Sequence, residues 1–164
     1  MISRLPLVLV AAALVSVAAT PASAQVFTLT ATLTGEGEAT QTANGVTTGA
    51  FGDATVIVDL TARTVNYSVR VFNLPSGVTQ GHIHAGAIRT AGPVVVNFVL
   101  PVSASNDFSF TGTARDTEFV LRPEVGIRSA DDMFQAILGG NSYVNVHSSA
   151  NPGGEVRGQL TLRP

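Results

Sequence analysis

The sequence contains no cysteine, no tryptophan and no lysine in 164 residues. Without cysteine there is no disulfide scaffold, no thiol nucleophile, no zinc finger and no iron–sulfur ligation. All nine cations are arginines, set against eleven Asp and Glu, for a formal net charge of −2. A chain this faintly acidic, with no basic run, is a poor nucleic-acid binder, because phosphate binding draws on clustered positive charge. Only 12% of residues are charged and mean hydropathy is +0.33, so the chain has ample apolar surface to bury and does not read as disordered. No glycine-rich loop ends in lysine to cradle phosphate, and no G-x-S-x-G elbow accompanies Ser148 or Ser149 beside His147. Of the close carboxylate pairs, Glu36 with Glu38 lies in a glycine-rich loop and reads as solvated, while Asp131 with Asp132 suits a helix N-terminus.

Long hydrophobic runs are also missing, apart from one at the start. Met1 to Arg4 form a short positive segment, Leu5 to Ala19 an apolar one, and Ala22-Ser23-Ala24 a small-residue cleavage site. Residues 1–24 are therefore expected to be a secretory signal peptide. The apolar run is too short for the about 20 residues of a spanning helix and carries Pro6. The expected mature chain, residues 25–164, is thus a secreted or periplasmic domain with no membrane span. Lacking disulfides, it must be held by its own core or by a bound ion.

What is abundant is valine, threonine and glycine. Residues 25–164 hold 18 Val and 17 Thr, whose branched side chains suit a pleated surface better than a helix. Alternating apolar positions predict strands over 26–33, 50–60, 64–74, 78–84, 93–100, 106–114, 143–148 and 155–162, with Gly35 to Gly49 as a loop and Thr61-Ala62-Arg63 as a tight turn. In the last strand Val156, Leu160 and Leu162 are expected to face inward. One helix is predicted, capped by Ser129, with a stripe of Met133, Phe134, Ile137 and Leu138 and a stop at Gly139-Gly140. The expected fold is all-β: a Greek-key sandwich or barrel of about eight strands, with one short helix before the last two.

The three histidines fall on strands. Successive strand side chains alternate, so His82 and His84 project from one face while Ile83 enters the core. In Tyr143-Val144-Asn145-Val146-His147 the same logic places Tyr143, Asn145 and His147 together on the polar face. If these strands are neighbours, three imidazoles converge and could share one ion; unconnected, hydrogen-bonded histidines are the alternative. Three imidazoles without thiolate point to copper, with zinc as the alternative. Such affinity should fall as pH drops through about 6.5, where free histidine protonates. Asn145, Glu155 and Arg157 are candidate supporting groups: Asp and Glu residues, notably Glu155, are candidates for a further ligand among which spacing alone does not choose, and Glu155, Arg157 and Gln159 are expected to share the outer face of their strand. No catalytic residue is assigned.

The segments Gly81-His82-Ile83-His84-Ala85-Gly86, Gly92-Pro93-Val94-Val95-Val96, Tyr143-Val144-Asn145-Val146-His147-Ser148 and Pro152-Gly153-Gly154-Glu155-Val156-Arg157-Gly158-Gln159-Leu160 resemble, in order, the signature of the chordin-type CHRD domain. The resemblance implies a secreted β-sandwich binding module with no established enzyme activity and an extracellular protein partner. The histidine pattern alone is similar to the copper half of copper–zinc superoxide dismutase. That likeness would make His82, His84 and His147 copper ligands and Arg157 an anion guide, although no zinc-ligand cluster accompanies them. Three readings follow: a non-catalytic CHRD-type module holding copper or zinc, a copper-only dismutase-like oxidoreductase, and a metal-free adhesion domain.

Overall fold

The computed structural model describes residues 25–38, 45–74, 76–100 and 105–164; the segment read as a signal peptide lies outside the described residues. Among the described residues nine strands form one antiparallel sheet: β1 (Val26–Thr34), β2 (Phe51–Asp59), β3 (Thr64–Phe72), β4 (Val78–Ala85), β5 (Val94–Asn97), β6 (Phe108–Arg115), β7 (Ser142–Ser148), β8 (Val156–Gln159) and β9 (Thr161–Leu162). Their order is β5-β4-β7-β8-β1-β2-β3-β6, with β9 also on β1. The sheet curls into a nearly closed barrel. The Val120 amide donates to the Val95 carbonyl at 2.9 Å, extending the hydrogen bonding past β5. The tilted ring contact of Tyr67 with Phe98, centroids 4.3 Å apart, joins the flanks of the gap.

Alternation dictates the register. In β1 to β3 the residues Leu29, Leu33, Val56, Val58, Val65, Val69 and Val71 are fully buried, and their threonine and arginine neighbours turn outward. From the other half of the sheet Ile83, Val144, Val146 and Val156 enter the same core. The predicted helix is α1 (Ala130–Leu138). The Ser129 hydroxyl accepts from the Asp132 amide, and Met133, Phe134 and Ile137 are buried. The Thr61-Ala62-Arg63 turn joins β2 to β3, with Arg63 at a φ of 55°.

Three features depart from the sequence reading. The strand expected over 155–162 is interrupted at Leu160: β1 pairs with both pieces in one register, Thr34 with Arg157 and Leu29 with Leu162, whereas β7 begins at Ser142 and pairs only with β8. Leu162, expected inward, lies past this break and is 49% exposed. The expected loop after β1 opens with a 3-10 turn over Gly35–Gly37, whose Gly37 amide donates to the Thr34 hydroxyl. Finally, β7 is buried along its whole length on both faces. Its outward face, the one carrying the histidine, is roofed rather than solvated.

Candidate metal centre

The outward face of the β4–β7–β8 segment carries two columns in register: His82 beside Asn145 beside Arg157, and His84 beside Tyr143 beside Gln159. His147 follows Asn145 by two residues on the same face. The three imidazoles meet there, with ring centroids 5.0 Å apart for His82–His147, 5.5 Å for His82–His84 and 6.4 Å for His84–His147. Each offers one nitrogen, and the three nitrogens lie within 4.8 Å of one another. Nitrogens bound to a common ion at about 2.0–2.1 Å are at most about 4 Å apart, so small ring rotations suffice. His84 is 9% exposed and His147 7%, while His82 is the most open of the three.

Two backbone carbonyls decide which nitrogens are offered. His84 Nδ1 lies 2.8 Å from the Gly92 carbonyl and His147 Nδ1 lies 2.9 Å from the Pro152 carbonyl. A carbonyl only accepts, so both rings carry their proton on Nδ1 and keep an Nε2 lone pair. His84 Nε2 is buried without a hydrogen-bond partner, as a donor nitrogen awaiting an ion would be. His147 Nε2 faces His82 Nδ1 at 3.2 Å, which makes His82 the proton donor of that pair in the metal-free protein. Ligation would then use Nε2 of His84 and His147 and Nδ1 of His82, whose proton moves to Nε2 or leaves. Burial holds His82 and His84 down to about 4, helped at His82 by the charges His147 and His84 would carry. At His84 the Gly92 hydrogen bond opposes that push. Both rings are neutral ligands well below pH 6.5, so protonation of these two competes for an ion only near pH 4, a lower window than free histidine implies.

The supporting groups are arranged differently from the sequence reading. Glu155 does not share a face with Arg157. Its side chain turns the other way, accepting from Ser148 Oγ, from Thr48 Oγ1 at 2.5 Å and from Asn151 Nδ2 at 2.9 Å. Burial raises its carboxyl, and these three bonds outweigh that to hold it below the ordinary range. The chain reaches it through Gly154, at φ 129°, after the Asn151–Gly154 turn. Arg157 is 2% exposed: its Nη2 donates to the Ala87 and Thr90 carbonyls and its guanidinium lies 3.3 Å from the Tyr143 ring centroid. The charge is engaged inside the protein rather than displayed to incoming anions.

Sequence reasoning missed Glu38. Expected in a solvated loop, it is 5% exposed, folded back by the 3-10 turn onto the site face, where Asn145 Nδ2 donates to its Oε2 at 3.1 Å. Burial raises its pKa to about 7, against the pull of Arg157 and the Asn145 bond. Gly154 makes room for it: a Cβ there would come 2.7 Å from both Asn145 Nδ2 and Glu38 Oε1. Nothing in one sequence places residue 38 above residue 145. The carbonyls of Gly92 and Pro152 were equally invisible, because main-chain acceptors have no residue signature.

No curated protein and no solved structure matches the chain. The family model of the CHRD domain matches residues 29–160, a span that includes the three histidines, Glu38, Tyr143 and Arg157. The chain therefore belongs to the CHRD-domain family.

Proposed function

We propose that this CHRD domain is a non-catalytic binding module that holds one copper ion, with zinc as the alternative, through His82, His84 and His147. The observation that carries the reading is the pair of carbonyl-pinned imidazoles, whose Nε2 atoms converge with His82 while that of His84 has no partner. Neutral nitrogen ligands without thiolate suit Cu(II) and Zn(II), and the affinity order of divalent ions favours copper where both are present. The signal-like segment 1–24 and the extracellular character of CHRD modules support export to the periplasm or beyond, where an extracellular protein partner would be met. The engaged guanidinium of Arg157 removes a main support for the dismutase-like reading. Isothermal titration of the purified protein with Cu(II), Cu(I) and Zn(II) tests the proposal: one ion per chain in the wild type and none in the His82→Ala/His84→Ala/His147→Ala variant. Equal heats from both proteins would leave a metal-free interaction domain.

A further inference from the structure

We infer that Tyr143 is the positioning residue of the histidine centre, holding the His84 ring in the plane and tautomer in which it offers Nε2. The inference rests on the metal reading above and names a residue that reading does not need. Tyr143 lies on β7 between β4 and β8, and its phenol ring is filled on both faces. On one side the His84 imidazole stacks on it, centroids 4.8 Å apart and planes 9° from parallel. On the other, the Arg157 guanidinium sits 3.3 Å from its centroid. Its hydroxyl accepts from the Gly92 amide at 3.1 Å, and the carbonyl of that same residue accepts from His84 Nδ1 at 2.8 Å.

Tyr143 therefore reaches His84 twice, by its face and through Gly92. Of the two, the stack is the contact that fixes the ring on physical grounds. A single hydrogen bond at Nδ1 fixes one atom and lets the ring swing about it; a parallel stack removes the swing. Orientation of a ligating imidazole through the groups around it is worth about 10- to 100-fold in metal affinity where it has been measured. The segment from Gly86 to Gly92 acts as a strap over the stack. Arg157 fastens it at the Ala87 and Thr90 carbonyls, and Gln159 Nε2 fastens it at the Gly86 carbonyl at 2.9 Å. Arg157 thus clamps the strap and backs the phenol with the same group.

Imidazole nitrogen-15 NMR of the metal-free protein, followed by zinc titration of the same samples, tests the inference. In the wild type, His84 should show a single Nδ1–H tautomer. Tyr143→Phe, which keeps the stack, should retain it. Tyr143→Leu should average the two tautomers and weaken zinc binding by about tenfold or more, with no further loss when combined with His84→Ala. An unchanged His84 spectrum and affinity in Tyr143→Leu, or additive losses in the double variant, overturns the inference. Should Tyr143→Leu fail to fold, Arg157→Gln, which strips one face of the phenol and unfastens the strap, must redistribute the His84 tautomers; an unaltered spectrum there is equally fatal. Wild-type imidazole signals that ignore zinc would instead sink the metal reading, while the tautomer comparison still decides the role of Tyr143.

Discussion

A histidine in water takes up its proton near pH 6.5, but His82 and His84 are held down to about 4, chiefly by burial. The unfolded chain therefore binds protons first as pH falls. The histidine contribution to stability is present above pH 6.5 and is lost as pH drops through about 4. Glu38 runs the other way. Its folded value of about 7 lies above the ordinary 4.5, so its contribution is full below pH 4.5 and lost as pH rises through 7. Glu38→Gln should remove only that second limb. Urea denaturation at pH 8 should find this variant more stable than wild type by on the order of 1–3 kcal/mol, and in its background stability should fall steadily from pH 6.5 to 4. No gain at pH 8 would mean the carboxyl is not buried as described. Alternation alone placed His82 with His84 on one face and His147 on the polar face of its own strand; that the two strands are neighbours it did not supply. Glu38 was not legible, because its burial depends on a 3-10 turn and on a glycine 116 positions away in the chain.

At the scale of elements, periodicity carried most of the information. The strands from β1 to β3 alternate between core and solvent as the Val and Thr positions require, and the helix begins and ends at its Ser129 and glycine signals. Leu162 stands opposite buried Leu29 as alternation requires, yet is exposed because it lies past the start of β7, and where a neighbouring strand begins or ends is not written in the period. The seam where β8 meets β1 leaves no room for added volume. Gly158 brings the backbones so close that a Cβ would lie 2.2 Å from the Thr32 carbonyl oxygen. Gly158→Ala should lower stability by about 1–3 kcal/mol, the usual cost of forcing extra volume into a packed interior. A denaturation midpoint equal to that of wild type would show that β1 and β8 can part freely. Ser129→Ala should cost about 1 kcal/mol by removing the cap of α1, measured in the same way.

Taken as a whole, the molecule buries one sheet face in a barrel core and roofs part of the other with loops. The strap from Gly86 to Gly92, the turn from Asn151 to Gly154 and Glu38, carried in by the Gly35–Gly37 turn, all close over β7. An ion held there would tie β4 to β7, so zinc or copper at 100 times its Kd should stabilise the fold by about 2.7 kcal/mol. His147→Ala should abolish that rise in Tm, and a rise that persists without His147 would place the ion elsewhere. An all-β sandwich or barrel was foreseeable from strand number and spacing; the roof was not, because loop-to-face contacts join residues that no local pattern relates. X-ray absorption spectroscopy of the copper-loaded protein is the most direct test of the centre. The account predicts three imidazole nitrogens at about 2.0 Å, with the outer-shell scattering that rigid rings produce. A first shell of oxygen atoms without imidazole scattering would contradict it.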